Sequence, residues 1–332
     1  MRAGDEVNIA KSQSGMQLID EQTIRAAVTT DDALAAARRA FRALAEDEVE
    51  LPDPVGLRVR EADGEVHIKS AYLTGSPIFA VKIASGFYRN TERGLPTGSG
   101  MVVVFDAGTG LPLAVLNDGG YLTELRTAAA GALAADLLAA NRLEVVGVLG
   151  TGTQARYQVR ALASVRDWKR TVAWSRNAEH VRAYCGQMER ELGIPFTAAA
   201  GPRAAVDDAT LIITVTPSRI PILEAAWLRP DATVIAVGSD GPDKRELPTE
   251  ALMRAEKIVV DRLSQCVVLG ELHHAVAEGA LDPSAVHGEL GDVVVGRVPG
   301  REGDELIICD LTGVGAQDAA IAEIAWNRLA ST

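Results

Sequence analysis

Val146-Gly-Val-Leu-Gly150-Thr-Gly152-Thr-Gln-Ala155 is a β-branched run that ends in Gly-x-Gly-x-x-Ala and gives way to a helical segment over 156–163. A strand feeding a helix through such a turn is built to receive an anion. Gly150 permits the tight turn, Gly152 lets a pyrophosphate approach the backbone, Ala155 lets helix pack on strand, and the free N–H groups at the helix start face the charge. Alone the pattern is weak. With the strand before it, the helix after it and a further strand at Thr171, it reads as a dinucleotide site whose phosphate turn is Gly150, Thr151, Gly152, Thr153 and Gln154.

Downstream of this stretch, short β-branched runs alternate with helical segments: 144–149, 171–174, 211–215, 233–237, 257–260 and 306–309. That alternation predicts a parallel sheet with helices on its faces. The second run ends Trp174-Ser175-Arg176-Asn177, where doubly wound folds place an acid for the ribose hydroxyls or a basic group for a 2′-phosphate. No carboxylate stands there and Arg176 does, so NADP(H) is favoured over NAD(H); the competing reading makes Arg176 a solvated side chain over adenine.

Upstream the pattern changes. Thr30-Asp31-Asp32 caps a helix with apolar positions at Leu34, Ala37, Phe41 and Leu44. Four β-like runs follow, over 66–72, 78–83, 101–105 and 111–116, the last two joined as a hairpin by Asp106-Ala-Gly-Thr-Gly110. An alanine-rich helix from about 127 to 140 closes this unit, with a stripe of Leu133, Leu137 and Leu138. A last helix over 319–329 is apolar at Ile321, Ile324, Ala325 and Leu329 and is expected to pack back on the first unit. The expected fold is α/β: a polar N-terminal tail over 1–15, an α+β substrate-binding and dimerisation domain over 16–140 with 311–332, and a Rossmann-type NAD(P)-binding domain over 141–310.

Composition narrows the function. The chain has 332 residues, 47% hydrophobic and 23% charged, as in a soluble globular protein of two domains. A net charge of −12 repels nucleic acid and anionic membranes, and the basic clusters at Arg38-Arg39 and 166–170 read as solvated helix faces. Cys185, Cys266 and Cys309 lack paired spacing, and His273-His274 lack partners, so neither a disulfide nor a metal site is expected. With no apolar leader and no long uncharged apolar run, a cytoplasmic protein without a membrane partner is expected. In Asp118-Gly-Gly-Tyr-Leu-Thr-Glu-Leu-Arg126-Thr127 a cation opens the alanine-rich helix. Arg126 there implies either a bound anion such as a substrate carboxylate or a surface salt bridge with Glu124.

Several further stretches occur together: Gly94-Leu-Pro-Thr97, Thr109-Gly-Leu-Pro-Leu-Ala114, Arg126-Thr127, Thr216-Pro217-Ser218, Gly238-Ser239-Asp240-Gly-Pro242 with Lys244 and Glu246, and Asp310-Leu-Thr-Gly313 with Gln317-Asp318. With the glycine turn, they make the chain, from about Met16 to Leu329, resemble the ornithine cyclodeaminase, archaeal alanine dehydrogenase and mu-crystallin family. Asp261-Arg-Leu-Ser-Gln265 and Leu269-Gly-Glu-Leu-His-His274 look like its ectoine-utilisation protein C subgroup.

The resemblance implies a homodimer, NAD(P) as cofactor, and a small amino acid or imino acid as substrate. It assigns the substrate carboxylate to Arg58, Lys82 and Arg126, puts Asp240 beside the reacting carbon and nitrogen, and brings Thr97 to the nicotinamide. Thr127, Ser175, Arg176, Asn177, Thr216, Pro217, Gly238, Ser239 and Gly313 complete the cofactor side. Physically, hydride transfer at an α-carbon needs the carboxylate clamped by cations and a proton donor or acceptor near the nitrogen. For Asp240 the structural alternative is a capping aspartate ahead of Pro242. For Lys82 and Lys69 it is a snorkelling surface lysine, the more so for Lys69. Where ornithine cyclodeaminases carry a glutamate, this chain has His67, close to Lys69, which suits a second anionic group better than an ammonium or merely fills space. The expected function is an imine reductase or amino-acid dehydrogenase. The alternatives are a cyclodeaminase that releases ammonia without net redox, and a protein that binds NADPH and a small molecule without turnover.

Overall fold

The computed structural model describes residues 15–330, so all but the last residue of the N-terminal tail lies outside the described residues. Strands β1 (Gln17–Asp20), β2 (Val49–Glu50), β3 (Val55–Val59), β4 (Gly64–Leu73), β5 (Ile78–Phe87), β6 (Gly98–Asp106) and β7 (Pro112–Asn117) form a seven-stranded sheet. Its order is β1-β7-β6-β5-β4-β2, with β3 also on β4, and every pairing but β1 with β7 is antiparallel. The β6–β7 hairpin turns at Asp106, whose carbonyl accepts from Gly110 N, as expected from the sequence.

Side-chain alternation along the strands gives the two faces different work. On one, Ala71, Leu73, Ile78, Ala80, Val102, Val104, Ala114 and Leu116 are buried beneath the helices Thr30–Ala45, Tyr121–Leu138 and Gly315–Leu329. The same face continues past the helices, and there its positions are polar: Lys69, His67 and Glu65 on β4, with Lys82 on β5 directly opposite Lys69. The other face carries Ile68, Phe79, Val81, Ile83, Met101, Val103, Phe105 and Val115, none fully buried, with exposed Leu18, Val55 and Leu57 at its margins.

The second sheet is parallel and eight-stranded. It comprises β8 (Leu143–Leu149), β9 (Trp168–Trp174), β10 (Phe196–Ala198), β11 (Leu211–Thr214), β12 (Thr233–Ala236), β13 (Lys257–Val260), β14 (Gly288–Glu289) and β15 (Ile307–Asp310), ordered β10-β9-β8-β11-β12-β15-β13-β14. The order reverses at β8. Chains leaving β8 and its neighbour β11 run to opposite sides and open a crevice beyond their C-terminal ends, where doubly wound sheets bind ligands. The expected runs are six of these strands; β10 and β14 were too short to carry a periodic signal.

Three helix boundaries move. The cap of the helix Thr30–Ala45 is Thr29, whose hydroxyl accepts from Asp32 N, and not Thr30. The alanine-rich helix begins at Tyr121, not near 127, because Gly120 turns the chain at φ 96° and the Asp118 carboxylate accepts from Leu122 N at 2.7 Å. Arg126 therefore sits in the second turn and does not open the helix. The last helix begins at Gly315, and it packs on β4, β5 and the helices of the first sheet, as expected.

Candidate active site

The polar rim of the first sheet meets the C-terminal edge of the second. Lys82 Nζ lies 3.1 Å from Asp318 Oδ2, and Arg126 Nε donates to Asp318 Oδ1 at 2.9 Å, all three side chains being almost wholly buried. This replaces the surface salt bridge with Glu124 considered for Arg126. Glu124 instead accepts from Gln154 Nε2 at 2.5 Å, tying the helix of the first unit to the glycine turn of the second. Lys69 and Lys82 are both buried, which removes the snorkelling reading for each. Lys69 Nζ donates to the carbonyls of Thr312 and Gly313, at 3.2 and 2.5 Å. Gly313 sits at φ 77°, and a Cβ there would come within 2.6 Å of Arg126 Nη1, so only glycine leaves the guanidinium its place.

Three buried cations thus surround one buried carboxylate. Asp318 is held below the usual carboxylate range: burial pushes it up, but Arg126, Lys82 and Lys69 win. Burial pulls the Lys82 ammonium down to about 7 against the pull of Asp318, with Arg126 and Lys69 acting in the same sense as burial. The excess positive charge suits a substrate carboxylate. It also gives a sign: Lys82 is charged below about 7 and neutral above, so KM for a carboxylate substrate should climb as pH rises through that value, towards about tenfold per unit. A KM–pH profile checks this; a flat profile, or one unchanged in Lys82→Gln, would remove Lys82 from carboxylate binding.

Asp240 follows β12, and the next helix begins only at Thr249, so Asp240 does not cap one. Its Oδ1 accepts from Lys244 Nζ at 2.5 Å, and among the described residues no hydrogen bond reaches Oδ2. Its side chain is 44% exposed, at the junction of the two sheets, where Lys244 stands between it and Glu65 of β4. Burial pushes its pKa up, yet Lys244, with His67 further off, holds it below the ordinary range. Glu65, bridged to Asp240 by Lys244, shares its sheet face with Lys69 and Lys82, which places this carboxylate on the same side of the first sheet as the cation cluster.

The other residues assigned from sequence fall at various distances from this centre. His67 is part-buried, its Nε2 3.7 Å from Glu65 Oε1 and without a hydrogen bond. Arg58 stands at the cleft margin, half-exposed, and pairs with Asp243 at 2.6 Å; it does not join the carboxylate cluster. Thr97 precedes β6, its carbonyl accepting from Phe87 N, and the Thr127 carbonyl accepts from Gln158 Nε2.

At the glycine turn Gly150 adopts φ 114°, and a Cβ there would lie 2.5 Å from the Val215 carbonyl oxygen, so the turn and the end of β11 can approach only with glycine. A Cβ on Gly152 would meet nothing within 4 Å, and the helix Thr153–Ala163 starts without a side-chain cap, leaving its N–H groups open to an anion. The Thr151 and Ser175 hydroxyls are 2.9 Å apart, and Asn177 caps the next helix through Glu179 N and His180 N. Trp174 and exposed Arg176 share a cleft of about 390 Å³ with Thr216, Pro217 and Ser218. The opposite wall is stiffened by Glu246, which accepts from Thr216 N, Thr216 Oγ1 and Gly238 N, while Ser239 Oγ donates to the Lys244 carbonyl. These features fit a dinucleotide, with the pyrophosphate at Gly152 and the adenosine end at Arg176. Among the described residues no group of side chains is placed to hold a metal ion, and no helix is long and apolar enough to cross a membrane.

Sequence reading singled out no role for Asp318, Lys244 or Glu65, and it placed Gln154 only in the phosphate turn. The signal for Glu65 was available, since it shares the period-2 face of His67 and Lys69. Asp318 offered none from spacing, because it reaches the site from the far end of the chain.

A doubly wound sheet with an anion-binding glycine turn, facing a second sheet whose rim carries buried cations, defines a Rossmann-type dinucleotide-binding protein with an appended α+β unit. Residues 16–332 match the family model described as ornithine cyclodeaminase/mu-crystallin family, and the chain belongs to that family. It is 34% identical over 315 residues to an alanine dehydrogenase of Archaeoglobus fulgidus, covering 95% of each chain. It superposes with TM-score 0.91 and 28% identity on the Thermococcus litoralis Δ1-pyrroline-2-carboxylate reductase solved with NADH and L-proline, covering 95% of this chain and 98% of that one. On the iminosuccinate reductase of Paracoccus denitrificans in complex with NAD+, TM-score is 0.86 at 30% identity, covering 95% and 97%.

Proposed function

We propose that the protein is an NAD(P)-dependent imine reductase or amino-acid dehydrogenase acting at the α-carbon of a small α-imino or α-amino acid. The observation that carries this is the pairing of buried Lys82 and Arg126, a clamp for one carboxylate, with ionised Asp240 across the cleft. Residues 16–140 with 311–332 would bind the substrate, and 141–310 the cofactor. When bound, a reduced nicotinamide would supply the hydride that turns the C=N carbon into CH–N. Lys82 and Arg126 fix the carboxylate and so the orientation of the α-carbon. Asp240, ionised at neutral pH, stabilises the protonated imine on reduction and accepts the ammonium proton in the reverse direction. Glu65 occupies the sheet face near His67, but Lys244 and Tyr88 already engage its Oε1, so it is poorly placed to hold a second substrate ammonium. This favours an imine over ornithine, and the part-buried His67, whose Nε2 has no hydrogen-bond partner, is the group that would meet a second anionic group. The stretch over 261–274, resembling the ectoine-utilisation protein C subgroup, supports the same substrate range. Arg176 at the adenosine end supports NADP(H) over NAD(H).

The test follows NADPH and NADH absorbance with pyrroline-2-carboxylate, iminosuccinate, and pyruvate with ammonia, while assaying ammonia release from ornithine and 2,4-diaminobutyrate with catalytic cofactor. Stoichiometric loss of reduced cofactor is the expected result. Ammonia release without net cofactor change would replace this reading with the cyclodeaminase one, and tight NADPH binding without either would leave a binding protein.

The apolar outer face of the first sheet supports a homodimer. Met101, 39% exposed, lies on β6 amid Ile83, Val103 and Phe105, and an apolar face of this kind is what homodimer interfaces cover. Light scattering is expected to give a dimer, and Met101→Asp a monomer; a monomeric wild type would refute it.

A further inference from the structure

Asp240 reaches the site from the cofactor-binding sheet, whereas Lys82 and Arg126 reach it from the other unit, so something must hold the two in register. Lys244 Nζ, 9% exposed at the side chain, donates to Asp240 Oδ1 at 2.5 Å and to Glu65 Oε1 of β4 at 2.7 Å. Its backbone is anchored in turn: Ser239 Oγ and His274 Nε2 both donate to the Lys244 carbonyl, at 2.6 and 2.7 Å. Tyr88 OH donates to the same Glu65 Oε1 at 2.5 Å, and Lys244 Nζ stands 5.5 Å from the Tyr88 ring centroid. A second strut, Arg58 to Asp243, links β3 to the same turn.

Resting on the reading of Asp240 given above, we propose that Lys244, held by Glu65, is the positioning residue that fixes the Asp240 carboxylate against the substrate clamp and sets the pH at which it takes up a proton. The groups facing Asp240 are Lys244 on its own turn, Glu65 and His67 on β4, Tyr88 beyond β5, and Lys69 deeper in the cleft. Among them Lys244 alone donates to it. The bridge therefore couples the geometry of the two units to the charge of the group that handles the proton. An iminium nitrogen entering the cleft meets a carboxylate already ionised and already aimed.

The test compares wild type, Lys244→Met, Lys244→Arg and Glu65→Gln in amine oxidation, where Asp240 must be ionised. Removing an adjacent opposite charge should raise the acid limb of the kcat–pH profile by about 1–3 units in Lys244→Met, with kcat at neutral pH falling about 10–100-fold and NADH affinity unchanged. Lys244→Arg should restore the limb, whereas Glu65→Gln, which removes a like charge that raises the Asp240 pKa, should lower it slightly while kcat still falls. A fall in kcat with an unmoved limb in Lys244→Met would overturn the proposal. A second readout needs no turnover. The melting-temperature advantage of wild type over Asp240→Asn should be present at neutral pH, vanish in acid as Asp240 protonates, and be absent in the Lys244→Met background. An advantage equal in both backgrounds would also overturn it. If wild type oxidises no amine, the function reading fails, and this thermal cycle decides the bridge alone. If Lys244→Met does not fold, Lys244→Gln decides it by the same two readouts.

Discussion

Replacing Asp240 with asparagine is expected to cut turnover by about 10²–10⁴-fold, the range a positioned proton-transfer group supplies, while leaving cofactor affinity intact. The substitution keeps size and polarity but removes the charge that would stabilise an iminium and accept a proton from the amine. Asparagine can still accept from Lys244 Nζ, so the turn over 239–244, fixed by Ser239 and His274, should keep its shape. The dinucleotide cleft is built from other residues, at Gly150–Gly152 and around Arg176, and nothing in it depends on this carboxylate. Steady-state rates together with NADH fluorescence titration check the split. Unchanged turnover would take Asp240 out of the mechanism; a parallel loss of NADH binding would show that the residue is structural.

Asp318→Ala should destabilise the protein by about 3–5 kcal/mol, because removing one partner of a buried ion pair leaves uncompensated charge in the interior. Lys82 and Arg126 lose their shared carboxylate, and Lys69 adds a third cation nearby. The sign with pH follows from the lowered pKa of Asp318. Its contribution is present above the unfolded carboxylate value and is lost as pH falls through the folded one. In alkali the deficit should narrow for a separate reason: Lys82, already pulled down to about 7, sheds its proton and needs a partner less. Urea unfolding of both proteins at acid, neutral and alkaline pH measures this. A loss under about 1 kcal/mol, the scale of an exposed ion pair, would mean that the triad is not what holds these cations in place.

How much of this was legible in the sequence depends on how local each signal was. The Gly150–Ala155 turn, its strand and its helix are contiguous, and local stereochemistry dictates them; the β6–β7 hairpin and the strand alternation likewise follow from neighbouring residues. The start of the Tyr121–Leu138 helix was missed because Gly119-Gly120 reads as a loop, whereas Gly120 at positive φ and the Asp118 carboxylate make it an entry into the helix. Arg126 was recognised as an anion-binding candidate, with a Glu124 salt bridge as the alternative, and its protein partner is a different carboxylate. Glu124 is near in sequence and turns away to Gln154, while Asp318 lies 192 residues downstream on a helix that folds back over the first sheet. Lys69 was taken for the more exposed of the two lysines since a strand pattern does not tell which face a helix will cover. Lys244 and Glu65 are 179 residues apart, and only the closure of the two sheets on one another brings them together. Sequence thus located the chemistry, and the long-range partners that tune it needed the fold.

The central claim is hydride transfer to the α-carbon of an imino acid held by Lys82 and Arg126, with net consumption of cofactor. It is tested most directly by supplying reduced cofactor carrying deuterium at both nicotinamide C4 positions, with pyrroline-2-carboxylate and iminosuccinate in turn, and examining the amino-acid product by NMR. One deuterium at the α-carbon for each cofactor oxidised is the expected result. Ammonia release with no net oxidation of cofactor, or a product carrying no deuterium at that carbon, would contradict the account.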